Sequence, residues 1–167
     1  MSKKLIIING TMGVGKTTIS RSLKEFLKNS FWLDGDSCWD MNPFVVNDEN
    51  KKMVIENITF VLNNFIKNTM SDYIIFNWVI QTDDIMKQIL DNLKLEGVEV
   101  YKITLMCSKE QLETRIAKDI TCGLRDVESL ERSIKNLGLY DRMDTIKINT
   151  DHKAVEMIVK EIIEIIK

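Results

Sequence analysis

Two rhythms of apolar residues alternate along this chain. Short continuous apolar runs fall at 5–9, 30–33, 73–79, 98–105 and 144–149, the pattern of strands buried on both faces. Between them, apolar residues recur at three and four. Ile19, Leu23, Phe26 and Leu27 predict a helix over 17–28, and Val54, Ile58, Leu62 and Ile66 predict a long one over 47–68. Ile85, Met86, Ile89 and Leu93 predict another over 83–95, ending near Gly97. A helix over 108–119 has Ser108 placed to cap it, as Asn47-Asp48 opens the long one. Val155, Ile158, Val159, Ile162 and Ile166 give an amphipathic final helix, while 120–143 is polar, with Gly123 and Gly138. Strand–helix alternation throughout predicts an α/β protein whose parallel sheet is covered by helices on both faces. No linker-like composition, long charge block or internal repeat interrupts it, so 1–167 reads as one domain.

Composition narrows the function classes. Lys and Arg total 23 against 25 Asp and Glu, for a formal net charge of −2. That balance argues against a broad electrostatic footprint for nucleic acid or an anionic membrane, and it leaves room for a local basic pocket. The 3 Cys form no CxxC pair and there is 1 His, so neither a zinc site nor a disulfide framework is expected. No apolar run approaches the roughly 20 residues that span a bilayer. The run behind Met1-Ser2-Lys3-Lys4 is too short for a secretory signal core. The expectation is a soluble cytoplasmic protein, monomer or homodimer, with no nucleic-acid or membrane partner.

The first strand ends in Gly10-Thr11-Met12-Gly13-Val14-Gly15-Lys16-Thr17, which satisfies G-x-x-x-x-G-K-[ST] between an apolar run and a helix. The glycines let successive backbone N–H groups turn inward as an anion cradle, reinforced by the positive helix end. Gly10, Thr11, Met12, Gly13, Val14, Gly15, Lys16, Thr17 and Thr18 are therefore the expected nucleotide-binding residues. Lys16 supplies a charge to the outer phosphates and doubles as a catalytic candidate. The Thr17 hydroxyl is a candidate for the Mg²⁺ shell.

The motif and the order of elements over nearly the whole chain resemble the P-loop kinases, which include adenylate, gluconate, shikimate and adenylylsulfate kinases. The resemblance implies a three-layer αβα P-loop NTPase fold with a five-stranded parallel sheet in the order 2-3-1-4-5. It also implies a short arginine-bearing lid, at roughly 119–138, and ATP with Mg²⁺ as cofactors.

Absences discriminate within that group. There is no N-K-x-D and no LSGGQ-like signature, and Tyr73-Ile74-Ile75-Phe76-Asn77-Trp78 carries no acid where a hydrolytic ATPase normally has one. Carboxylates stand instead in Leu33-Asp34-Gly35-Asp36. Residues two apart on extended chain point to one side, so Asp34 and Asp36 both face the carboxyl edge of the sheet, where such folds bind ligands. Shikimate kinases carry D-x-D and adenylylsulfate kinases L-D-G-D at this place. By that resemblance Asp34 is the metal-side acid, with Thr17, and Asp36 the substrate-side acid, orienting or deprotonating a hydroxyl. Gly35 between them reads as a point of close substrate approach.

Trp39, Phe44 and Trp78 lie beside these acids in sequence-adjacent or edge-adjacent segments. They read either as acceptor-pocket walls or as packing, and Asn77 or Gln81 as a hydrogen-bond partner. Trp39 and Trp78 are taken as substrate-binding, with Asp34, Asp36 and Arg132. Arg115, Arg125 and Arg132 are the lid candidates, either for phosphate or as a solvated helix face. Arg115 and Arg125 are assigned catalytic roles, and Arg115 and Thr150 nucleotide contacts. The resulting expectation is a phosphotransferase moving the γ-phosphoryl of ATP to a small-molecule acceptor, a nucleotide or a metabolite or antibiotic hydroxyl. The alternative is a nucleotide-binding regulatory module or a simple ATPase.

Overall fold

The computed structural model describes residues 2–123 and 126–167. Strands β1 (Lys3–Asn9), β2 (Ser30–Asp34), β3 (Tyr73–Asn77), β4 (Val98–Met106) and β5 (Ile146–Asn149) form a five-stranded sheet in the order β2-β3-β1-β4-β5. Every pairing is parallel. Helical crossovers make this possible: α1 (Lys16–Phe26), α2 (Asp48–Lys67), α3 (Asp83–Asp91), α4 (Lys109–Thr121), α5 (Val127–Leu137) and α6 (Val155–Ile165). This is the αβα P-loop fold, in the strand order implied by the family resemblance.

Side chains alternate through the sheet. Leu5, Ile7, Ile74 and Phe76 pack with Ile58 and Leu62 of α2 and Ile89 of α3. Ile6, Ile8, Ile75 and Leu105 pack on the other face, with Leu23 of α1, Leu112 of α4 and Ile162 of α6. Both faces of the central strands are covered, which is why their sequences read as unbroken apolar runs rather than as alternations. Asn47 and Ser108 cap α2 and α4, accepting from the backbone N–H of Asn50 (2.7 Å) and Gln111 (3.3 Å).

Three boundaries differ from the sequence expectation for physical reasons. β3 ends at Asn77, and beyond it Ile80 donates its N–H to Asn9 Oδ1 (2.8 Å) and accepts at its carbonyl from Asn9 Nδ2 (2.9 Å) rather than pairing with a strand. α3 closes at Asp91, and Asn92 caps its end by donating its backbone N–H to the Ile89 and Leu90 carbonyls. The polar stretch 120–143 contains α5. Among its described side chains the buried ones are Ser129 and Ser133, whose hydroxyls donate back to the carbonyls of Asp126 and Ser129 (2.6 and 2.7 Å). Small residues satisfied on their own helix allow close packing while hiding the apolar period. Among the described residues no helix is long and apolar enough to cross a membrane.

Candidate active site

Residues 10–17 lie at the carboxyl edge of the sheet, between β1 and α1. Gly10 (φ 140°) and Gly13 (φ 84°) have backbone conformations that L side chains avoid, and space is also denied them. A Cβ on Gly10 would sit 2.6 Å from the Leu105 carbonyl oxygen, and one on Gly13 2.7 Å from Ile116 Cγ1. Both glycines are thus pressed against β4 and α4, which holds the loop in one shape. No side chain caps α1 at Gly15, so its positive end is left to an incoming anion. Lys16 is buried, and its Nζ donates to the Gly10 and Thr11 carbonyls, each at 2.9 Å. Its charge is held over the loop. Thr17 and Thr18, the next residues, are exposed. The Thr11 hydroxyl donates to the Ser133 carbonyl (3.1 Å), tying α5 to the loop.

The acids arrive from β2. Thr17 Oγ1 donates to Asp34 Oδ2 at 2.9 Å, and Asp34 Oδ1 accepts from the Asp36 N–H at 3.2 Å, capping a 3₁₀ turn over Gly35–Trp39. The hydroxyl and carboxylate are hard oxygen donors in contact, the donor type Mg²⁺ takes. Among the described residues there is no cluster of three or more His, Cys, Asp or Glu able to hold a metal. An ion at Thr17 and Asp34 would therefore complete its shell with phosphate oxygens and water. Gly35 is explained differently from the sequence expectation. A Cβ there would meet Trp78 Cγ at 2.5 Å, so the glycine accommodates an indole from beyond β3 and not a substrate. Nearby, burial, and secondarily the Asp34 charge, push the Cys38 thiol up, so it stays a neutral packing group.

Asp36 lines a cavity of about 550 Å³, walled also by Met12 of the loop, Trp39 and Phe44, and Trp78 and Gln81. The Trp39 and Phe44 rings lie 5.2 Å apart. The structure therefore brings Trp39, Phe44, Trp78 and Gln81 to one cavity beside Asp36. Asn77 does not join them: it is buried, and its side-chain oxygen accepts from Trp32 Nε1 at 2.6 Å.

Arg115 reaches back from α4. One guanidinium nitrogen, Nη1, donates to the Val14 carbonyl (3.1 Å) and to Thr150 Oγ1 (2.9 Å); the other, Nη2, donates to the Thr150 carbonyl (2.9 Å). Arg115 and Thr150, both expected at the nucleotide, thus meet each other under the glycine loop. Arg132 on α5 points to the capping residue of its own helix, with Nη2 3.8 Å from Asp126 Oδ1, and it is not among the residues lining the cavity. Arg125 lies outside the described residues.

Some contributors escaped the sequence reading. Asn9 is fully buried and locks β1 to the segment after β3; a polar residue ending an apolar run just before the glycine loop was the available signal. Asp151 accepts the Ser108 N–H (3.0 Å), fixing the start of α4 against the turn after β5. Lys51, Lys52 and Gln88 line the cavity and carry no local signal, because only the packing of α2 and α3 brings them there.

A family model described as an AAA domain matches residues 6–136, from β1 through most of α5. The chain belongs to the AAA domain family. Over 181 residues this AAA domain protein is 26% identical to a protein of Methanocaldococcus jannaschii named "Putative adenylate kinase", covering 97% of this chain and 85% of that relative. The Mycobacterium tuberculosis APS kinase in complex with AMPPNP and APS superposes with a TM-score of 0.72 at 13% identity, covering 99% of this chain and 98% of that one. The Deinococcus radiodurans tunicamycin resistance protein gives 0.70 at 18% identity, over 98% and 96%. These likenesses bear out the P-loop kinase resemblance and the fold of this AAA domain.

Proposed function

We propose that this protein is an ATP- and Mg²⁺-dependent kinase that transfers the γ-phosphoryl group to the hydroxyl of a small acceptor. One observation carries the reading: a single wall, Asp34-Gly35-Asp36, faces two compartments. Asp34 bonds to Thr17 of the glycine loop, and Asp36 lines the cavity next door. A phosphate cradle and an acceptor chamber that share a pair of carboxylates suit in-line transfer between them. The runner-up, hydrolysis without an acceptor, is disfavoured by the end of β3, where Asn77 stands in place of an acid and is committed to Trp32.

In this reading the backbone of 10–15 and the α1 terminus hold the β-phosphate, and Lys16 moves from its loop carbonyls to the transferring oxygens. Thr17 and Asp34 would hold the Mg²⁺, which would supply positive charge against that of the phosphates. Asp36 orients the acceptor O–H and takes its proton as the oxygen bonds to the γ-phosphorus; the bond to the β–γ bridging oxygen breaks and ADP leaves. Arg115 acts as a positioning residue, holding Val14 and Thr150 together beneath the nucleotide. Nucleotide and metabolite or antibiotic hydroxyls are the acceptor classes in play. The test is acceptor-stimulated ADP release. Asp36→Asn is expected to lower the stimulated rate by about 10²–10⁴-fold while ATP affinity holds, and Lys16→Ala to remove transfer. No stimulation by any acceptor, with Asp36→Asn turning over ATP at the parental rate, would overturn the proposal.

A further inference from the structure

The cavity beside Asp36 differs sharply in chemistry from the loop next to it. Anionic ligands lose strong hydration on entering a cavity and need cationic or N–H donors aimed at them, most effectively an arginine fork. Among the described residues no arginine lines this cavity. Its two lysines stand at the start of α2, and each has an acidic partner: Lys51 Nζ lies 3.2 Å from Asp48, and Lys52 Nζ 3.8 Å from Glu56. Asp36 and Asp48 add carboxylates to the same lining. A phosphate or carboxylate group bound here would have to compete with Asp48 and Glu56 for the two lysines and would stand beside the Asp36 carboxylate.

The rest of the lining is apolar or neutral. Trp39, Phe44 and Trp78 supply aromatic surface, Val46, Ile55 and Val79 aliphatic surface, and Gln81 and Gln88 uncharged hydrogen-bonding groups. Phe44 is 63% and Val46 58% exposed although both belong to the wall, so the cavity presents apolar surface that an apolar occupant would cover. A volume of about 550 Å³ accommodates a ring-bearing small molecule.

We propose that the acceptor is an uncharged, ring-bearing alcohol, held with its ring against the Trp39–Phe44–Trp78 wall and its hydroxyl at Asp36, and that anionic acceptors such as nucleoside monophosphates or hydroxy acids are disfavoured. The assignment rests on the kinase reading for its hydroxyl but not for its binding, and the two are tested separately.

Binding is measured by calorimetry on the full chain without nucleotide, using pairs that share a ring system and in which one member carries an anionic group: adenosine against AMP, and 3-phenylpropane-1,2-diol against 3-phenyllactate. The neutral member of at least one pair is expected to bind ten-fold or more tightly than its anionic partner. Equal or tighter binding of the anions, or no binding by either neutral compound, overturns the proposal. Val46→Glu places a charge on the exposed rim of the wall. It is expected to weaken the neutral ligand at least ten-fold at an unchanged unfolding midpoint; unaltered affinity overturns the placement. Adding Mg²⁺ and ATP then separates the two ideas. If neutral compounds bind but no acceptor stimulates ADP release, and Asp36→Asn turns over ATP at the parental rate, this cavity assignment stands and the kinase reading falls.

Discussion

Replacing Gly35 with alanine puts a methyl group where the Trp78 indole already lies. The new Cβ would be 2.5 Å from Trp78 Cγ, 2.6 Å from Cδ1 and 2.8 Å from Cβ, about 1 Å short of ordinary carbon–carbon contact. These are the atoms nearest the Trp78 backbone, so swinging the ring about its outer torsion brings no relief; the chain after β3 or the 3₁₀ turn must move. Gly35 has no positive φ, so backbone strain adds nothing and the penalty isolates the clash. Overpacking of this kind costs about 1–3 kcal/mol. For a chain of this size each kcal/mol lowers Tm by about 2–4 °C. The assay is urea unfolding of four proteins: the parent, Gly35→Ala, Trp78→Ala and the double variant. Gly35→Ala alone should destabilise within that range. In the Trp78→Ala background the contacts with Cγ and Cδ1 are gone and only the one with Cβ, at 2.8 Å, is left, so its penalty should fall, giving a coupling energy of at least about 1 kcal/mol. An equal penalty in both backgrounds, or none in either, would refute the contact as the reason for the glycine.

Arg115→Met keeps the aliphatic stem and deletes the donors to Val14 and Thr150. It removes a donor from the Val14 carbonyl, while the Thr150 carbonyl keeps the Lys153 N–H at 3.4 Å, so we expect a loss of about 1–3 kcal/mol in urea unfolding together with weaker ATP binding by calorimetry. Retained stability with ATP binding lost would instead place the guanidinium on the nucleotide. Tyr140→Phe should do the opposite. Among the described residues the buried Tyr140 hydroxyl has no hydrogen-bond partner, so removing it should leave stability unchanged or raise it by up to about 1 kcal/mol in thermal unfolding. Burial also holds that phenol protonated above the usual tyrosine range. The parent therefore has its full stability below the unfolded tyrosine pKa of about 10 and loses some as pH rises past it. Tyr140→Phe should show a flatter stability profile there.

Much of the candidate site could be read from residues close together in the chain. The glycine loop is one contiguous segment whose function lies in its own backbone, so its glycines, Lys16 and Thr17 announce themselves. Asp34 and Asp36 announce themselves as a close pair of acids, but the extended geometry expected of them stops at Asp34: Asp36 lies in the 3₁₀ turn, and the two carboxylates serve different compartments. The caps at Asn47 and Ser108 reach only to the backbone three residues on. The alternation of strand and helix followed from the same local periodicities, whereas the order of strands came through the family resemblance, because periodicity carries no information about which strand lies beside which.

The remainder depended on that adjacency. Pairing of β3 with both β1 and β2 carries Trp78 onto Gly35, Ile80 onto Asn9 and Asn77 onto Trp32. Pairing of β4 with β5 brings Thr150 within reach of Arg115. In each case the residue types were visible in the sequence and their roles were not. A glycine that makes room for substrate and one that makes room for an indole have the same local pattern. An arginine bound to phosphate and one bound to a carbonyl are likewise alike until the surrounding chain is packed. Local backbone preference and hydrophobic periodicity select the elements and the phosphate loop; long-range packing selects each side chain's partner, because van der Waals contact and hydrogen bonding act only between groups that the fold has brought within a few ångströms.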